Sequence, residues 1–281
     1  MSDAQNRRAT RTDRAGRAFT AGFARSGRDD ANGGGIRLGP SARIVTRVAE
    51  ALDRHPALAR WLFAGLANAP FVGRRLPVLV RAFLGATAFE IHDVDLAHGR
   101  IGIGGVDEVI FSSKFLEAFH RIIAEEAGSE ARKTAALYRV GKEGGYWEVS
   151  EALAHGKWGP RPLVELIEAG SATEQLRNDP WMARFFAIVM KMVCRLIINE
   201  GGWGVVESLE VDVEPMRVTL SHSNEARWLA PSKEPVCALC AGVIAGYASR
   251  IFGRDLDAVE VACLAAGAPS CVFELHPGGS T

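Results

Sequence analysis

The chain has 281 residues, 48% of them hydrophobic, so it is long enough to bury a sizeable core as one large domain or two modest ones. Its 33 Lys and Arg are balanced by 33 Asp and Glu. This neutrality gives the whole molecule no electrostatic reason to bind nucleic acid or an anionic membrane, so we expect a globular protein without direct nucleic-acid binding.

The N-terminal residues 1–40 differ from the rest in their frequent arginines and in the three consecutive glycines at 33–35. This composition predicts a disordered basic arm, with contact to nucleic acid or phospholipid as the alternative. Apolar residues then recur at helical spacing, with Ser41 as an N-cap and Pro56 as a break, so residues 41–87 are predicted as a helical preface. It would contact a partner or cover a sheet edge.

Alternating apolar residues at 89–105 predict a β-hairpin, and three amphipathic helices follow it. The first helix is expected at 112–128, with Ser113 as its cap. The second, at 129–155, carries several glycines near 141–145 that predict an interruption. The third is expected at about 178–199.

The C-terminal part alternates again between strand and helix patterns. Strands are predicted at about 203–213 and 216–222, a helix at 235–253, and two short strands around the turn "GAPS" within 259–275. Helices combined with a mainly antiparallel sheet predict an α+β fold, and we assign residues 88–277 to one such domain.

The most apolar segment, residues 181–198, is interrupted by Arg184, Lys191 and Arg195. Its charge-free run is too short for a membrane span, and the N-terminus has no signal-peptide pattern. The odd number of five cysteines does not suggest a secreted disulfide framework. We therefore expect a cytoplasmic protein with reduced thiols and no membrane span.

Four cysteines lie in the last 45 residues: Cys237, Cys240, Cys263 and Cys271. Their clustering suggests zinc, because thiolates are strong zinc donors, but buried core cysteines remain the alternative. The ligand choice is also open. Cys237 and Cys240 could share a helix face, whereas Glu260 could join Cys263 only across a bulge or strand end, because a regular strand sends these positions to opposite faces.

The stretch "PVCALCAGVIAGYASRIFGRDLDAVEVACLAAGAPSCVFEL", residues 235–275, resembles the C-terminal signature of the 4-vinyl reductase domain family. The positions that carry the resemblance are Cys237, Gly242, Gly246, Glu260, Cys263, Gly267, Cys271 and Phe273. Upstream, residues 99–153 are similar to the sensory region of bacterial activators that respond to aromatic compounds. Together the similarity covers about residues 90–276.

The resemblance implies a fold in which helices and a sheet enclose an apolar cavity. It also implies a structural zinc held by Cys237, Glu260, Cys263 and Cys271, with Cys240 as a packing residue. A redox-sensing role for the cysteines is the alternative.

Residues of the predicted helices are candidates for lining the cavity. They are Phe115, Phe119, His120, Tyr138, Trp147, Trp181 and Phe185. His120 and Tyr138 are the polar members that would orient a ligand, although core packing is the alternative role for each of the seven.

The first functional hypothesis is a zinc-containing binding module that senses or carries an apolar or aromatic small molecule, a tetrapyrrole among the candidates. Since the chain has no P-loop motor, it would signal through a partner, and we expect a homodimer. One alternative is a reductase of a vinyl group in a chlorophyll precursor, but no dinucleotide-binding fingerprint is visible. Another is a dimeric interaction protein with a lipid-filled cavity.

Overall fold

The structure is a computed structural model that describes residues 38–67, 81, 87, 90, 92–103, 106–154, 156–158, 161–170, 179–199, 201–211 and 213–279. Nearly all of the predicted basic arm and part of the helical preface therefore lie outside the described residues.

The described elements are helices and antiparallel strands. The helices are α1 (Pro40–Arg54), α2 (Pro56–Ala67), α3 (Ser113–Ala127), α4 (Glu130–Ala154), α5 (Leu163–Gly170), α6 (Pro180–Val193), α7 (Asn224–Leu229) and α8 (Ala238–Phe252). The strands are β1 (Asp93–Asp95), β2 (Arg100–Ile103), β3 (Val106–Glu108), β4 (Lys157–Trp158), β5 (Arg161–Pro162), β6 (Val205–Glu210), β7 (Met216–Ser221), β8 (Leu256–Ala262) and β9 (Cys271–Pro277). The predicted α+β class is confirmed.

The largest sheet has the strand order β6-β7-β9-β8, and every neighbouring pair in it is antiparallel. Helix α8 packs against α4, β8 and α6, and nearly all of its side chains are buried. Its Tyr247 lies in one continuous core with Phe186 of α6 and Phe273 of β9. Helix α8 is therefore the central element on which the C-terminal half is built.

The predicted interruption of the second helix is wrong, because α4 runs unbroken from Glu130 to Ala154. Two of the three glycines predicted to break it face α8, since a Cβ on Gly141 or Gly145 would overlap the backbone of α8, whereas Gly144 is exposed. Likewise, a Cβ on Gly242 would overlap the backbone of α4. These glycines allow two helix backbones to touch, and this packing outweighs their low helix propensity.

Three other predictions concern helix ends. Ser41 is not the cap of α1, because this helix begins at Pro40 and its N-cap is Gly39, which has no side chain that could accept a hydrogen bond. The cap of α3 is Ser112 rather than Ser113, since the Ser112 hydroxyl accepts the N–H of Phe115. Either serine could act as a cap, and the sequence does not distinguish adjacent candidates. The break at Pro56 is confirmed, because α1 ends at Arg54 and α2 begins at Pro56.

Helix α1 belongs to the same core as the rest of the chain. Its Ala42 and Ala49 are buried, and its Thr46 hydroxyl accepts the indole N–H of Trp158 at 3.2 Å. Asp53 at its end pairs with Lys191 of α6 at 2.9 Å. Among the described residues, no helix combines the length and the apolar character that crossing a bilayer requires.

Candidate metal centre

The four residues of the predicted metal site come together where α8 begins against the β8–β9 hairpin. Cys237 is the N-cap of α8, Cys263 directly follows the end of β8, and Cys271 begins β9. The pairing of β8 with β9 shifts register between Glu260 and Ala262. This irregularity and the strand end turn residues 260 and 263 towards the same point, as joint ligation requires.

The sulfur atoms form a tight, buried group. The Sγ of Cys237 lies 3.9 Å from that of Cys263 and 3.8 Å from that of Cys271. With a Glu260 carboxylate oxygen, the four ligand atoms all lie within 4.8 Å of one another. A disulfide needs sulfurs only about 2 Å apart, so these cysteines are free thiols. The cluster, which we call the Cys–Glu cluster, could hold a metal ion.

The two oxygens of Glu260 have different surroundings. Oε2 accepts the backbone N–H of Cys237 at 2.8 Å, which fixes the carboxylate beside the start of α8. Oε1 is buried and has no hydrogen-bond partner within the described part of the chain. A buried carboxylate oxygen without a partner is costly unless a cation or proton satisfies it, so Oε1 is the natural donor atom of this residue.

The thiols differ in acidity. Cys271 accepts hydrogen bonds from the Cys237 thiol and from the N–H of Leu264, which hold the pKa of Cys271 below its usual value. The same thiol–thiol bond, together with burial, raises the pKa of Cys237. Burial raises the pKa of Cys263 to about 11. Without a cation, Cys271 is thus the most readily ionised thiol, and the other two need a metal ion to release their protons at neutral pH.

Cys240 lies outside the Cys–Glu cluster. It is buried within α8, where burial raises the pKa of its thiol well above the usual value, and its backbone N–H donates to Glu225 at 2.8 Å. The other carboxylate oxygen of Glu225 accepts the N–H of Leu239 at 3.1 Å. Burial raises the pKa of Glu225 to about 8. Nothing in the sequence singles out Glu225, since an acid in the first turn of a short helix is usually exposed.

The structure places the seven predicted ligand-binding residues in different surroundings. Phe115 and Trp147 are 52% and 60% exposed, Phe119 is half-buried, and Phe185 is fully buried between Trp158 and Phe186. Tyr138 donates its hydroxyl to Asp257 and accepts the N–H of Ala258, both at 2.9 Å. Trp181 lies under the guanidinium groups of Arg43, Arg47 and Arg184.

His120 lies at a concave surface of the described part of the chain. It is 3% exposed and lines a groove together with residues of α3, α4 and α7. Its Nε2 lies 3.6 Å from Oε1 of Glu225, slightly beyond hydrogen-bond distance. Glu225 therefore stands between this groove and the start of α8.

Comparison with known proteins agrees with the predicted resemblance over the C-terminal part. Residues 216–277 match the model of the 4-vinyl reductase domain, and this stretch contains all four residues of the Cys–Glu cluster. No curated protein matches the chain.

Two of the solved structures that the chain resembles are a sensory domain and an archaeal protein. The first is the phenol-responsive sensory domain of the transcription activator PoxR, with 16% identity, a TM-score of 0.47, and coverage of 68% of this chain and 86% of that one. The second is a vinyl-4-reductase family protein from Methanocaldococcus jannaschii, with 20% identity, a TM-score of 0.37, and coverage of 60% and 83%.

Proposed function

We propose that the chain is a zinc-stabilised module that senses or carries an apolar or aromatic small molecule. The observation that carries the zinc assignment is the convergence of three thiols and one carboxylate oxygen within 4.8 Å. Three soft sulfur donors favour zinc over calcium or magnesium, which prefer oxygen ligands.

The spacing of the sulfurs supports the same metal. In a tetrahedral site with Zn–S bonds of about 2.3 Å, neighbouring sulfurs are about 3.8 Å apart. The Sγ of Cys237 lies 3.8 Å and 3.9 Å from its two sulfur neighbours. The thiols would therefore bind zinc with little movement, and the partnerless Oε1 of Glu260 would complete four ligands.

A site with four protein ligands is closed and leaves no position for a reacting water, so the zinc would be structural. When bound, it would supply the positive charge that lets three buried cysteines ionise together. The chain's own residues would then join the end of β8 and the start of β9 to the N-cap of α8. The proposed ligand-binding role is supported by the match of residues 216–277 to the 4-vinyl reductase domain. The resemblance of residues 99–153 to aromatic-responsive sensory regions supports it as well. Signalling would pass to a partner chain.

Metal analysis of the full chain, purified without an affinity tag, tests the zinc assignment. We expect about one zinc per chain, held through dialysis and lost on treatment with a chelator together with part of the folded structure. A fully folded, metal-free protein would contradict the zinc assignment.

Native mass spectrometry of the same sample tests the binding role, for which we expect a retained aromatic or apolar molecule. A sample that retains no organic molecule and takes up no added aromatic compound would contradict that role.

A further inference from the structure

A buried serine lies against the Cys–Glu cluster without belonging to it. Ser223 is 1% exposed, and its Oγ lies 3.6 Å from the Sγ of Cys237. Because sulfur has a larger radius than oxygen, this distance fits an O–H···S hydrogen bond. Apart from the cluster's own thiols, the other donors that the described residues direct at its side chains are backbone N–H groups. Ser223 is thus the side-chain donor of this site.

The direction of the hydrogen bond follows from what each group can offer. The Ser223 hydroxyl accepts the N–H of Ala226 at 3.3 Å, as the N-cap of α7, and its single O–H remains to donate. The sulfur of Cys237 loses its proton when it binds a metal ion, so it can then only accept. In the metal-bound site Ser223 is therefore the donor and Cys237 the acceptor.

The turn between β7 and α7 holds Ser223 in this position. His222 adopts the left-handed conformation, with φ of 52°, and redirects the chain directly after β7. Two residues beyond Ser223, Glu225 accepts the N–H groups of Leu239 and Cys240 in the first turn of α8. The start of α7 is thereby joined to the start of α8, so the Ser223 hydroxyl is already oriented towards Cys237 before a metal ion binds.

The charge of the cluster explains why such a donor matters. Three thiolates and one carboxylate carry four negative charges and zinc carries two positive ones, so two negative charges remain in the closed site. Buried charge is costly unless hydrogen-bond donors surround it. A hydrogen bond to an ionised acceptor is roughly twice as strong as one between neutral groups. The Ser223 O–H therefore stabilises the thiolate form of Cys237.

We propose that Ser223 is a positioning residue of the metal centre, which orients the Cys237 sulfur and tunes the strength with which this sulfur binds the ion. Loss of a group that hydrogen-bonds to a metal ligand typically lowers metal affinity about 10- to 100-fold. The inference rests on the proposed function, because it requires that the Cys–Glu cluster holds a metal ion. It adds the turn between β7 and α7 to that centre.

The zinc affinity of the full chain, measured by competition with a chelating dye, is the first test. Ser223→Ala should bind zinc about 10- to 100-fold more weakly than the wild-type chain, and Ser223→Thr, which keeps a hydroxyl, should restore most of the affinity. The matched control is Ser221→Ala. Ser221 is a buried serine at the end of β7 that makes no hydrogen bond to the cluster within the described residues, so its replacement should leave the affinity unchanged.

Titration with Co²⁺ separates this role from the structural role of Ser223 as the cap of α7. The charge-transfer bands from sulfur to Co²⁺ depend on the electron density of the thiolates, so loss of a hydrogen bond to Cys237 should move them to longer wavelength. Ser223→Gly is the second variant, because glycine is accepted as an N-cap at little cost while the hydroxyl is lost. We expect the band shift in Ser223→Ala and Ser223→Gly, and little or none in Ser223→Thr and Ser221→Ala.

The outcomes distinguish this proposal from the zinc assignment. Unchanged zinc affinity and unchanged Co²⁺ bands in Ser223→Gly would overturn the role of Ser223 and leave the metal assignment standing. A wild-type chain that takes up neither zinc nor Co²⁺ would overturn both. Ser223→Gly carries the test even if Ser223→Ala does not fold.

Discussion

Glu260 and Glu225 approach the start of α8 from different elements, and both accept backbone N–H groups there. Glu260 uses one oxygen on the N–H of Cys237 and leaves the other without a partner, whereas Glu225 uses both oxygens, on Leu239 and Cys240. The difference separates two roles for a carboxyl group. Glu225 satisfies the free N–H groups of a helix terminus, while Glu260 leaves one oxygen that could bind a cation.

The largest expected effect comes from removing a sulfur of the Cys–Glu cluster. Cys263→Ser should abolish stoichiometric zinc binding and lower the free energy of unfolding by several kcal/mol, because structural zinc contributes on the order of 10 kcal/mol in small domains. The matched control is Cys240→Ser, which should retain the metal and cost about 1–3 kcal/mol for burying a hydroxyl. Zinc content and chemical denaturation measure both. Equal loss of zinc in the two variants would show that the proposed set of ligands is wrong.

The second effect is the pH dependence contributed by Glu225. Its pKa rises from 4.5 in the unfolded chain to about 8 in the folded protein. Below pH 4.5 both states hold the proton. Between these values only the unfolded state releases it, so the free energy of unfolding falls as the pH rises, by up to about 1.4 kcal/mol per unit.

Denaturation curves at several pH values between 5 and 8 test this dependence against Glu225→Gln. The variant should be less stable overall, because an amide cannot accept both N–H groups, but its stability should fall less steeply with pH. Parallel profiles for the two proteins would show that Glu225 ionises normally.

The smallest effect is expected for Glu260→Gln. The amide oxygen is a weaker, uncharged donor, so zinc affinity should fall by at least the 10- to 100-fold that loss of an outer-shell partner typically costs. Competition with a chelating dye measures the affinity, and the three cysteines should still bind the ion. Under the same assay Glu225→Gln should change the affinity less than Glu260→Gln does. The reverse order would exchange the roles assigned to the two carboxyl groups.

Much of the Cys–Glu cluster could be predicted because its signal is local. The spacing of Cys263 and Cys271 predicts a hairpin, and the two-residue period of a strand predicts that Glu260 needs a bulge to join them, which the register shift confirms. The family resemblance, rather than the spacing, indicates Glu260 instead of Cys240 as the fourth metal ligand. In the structure Glu260 lies with Cys237, Cys263 and Cys271.

What the sequence did not predict depends on contacts between distant elements. The glycines at 141 and 145 have low helix propensity, and only the backbone of α8 explains why the helix continues through them. Glu225 looks like an ordinary acid in a first helical turn until α8 is placed over it. Most of the cavity-lining candidates are aromatic residues at helical spacing, and such a pattern does not distinguish core from pocket.

The direct backbone contact between α4 and α8 has a mechanical consequence. Where two helices touch through Gly145 and Gly242, no side chain lies between them to change rotamer and absorb a displacement. We therefore expect the two helices to shift together, with Lys133 of α4 beside the groove and the N-cap of α8 at the Cys–Glu cluster. A displacement of α4 would then be passed directly to the metal-binding end of α8.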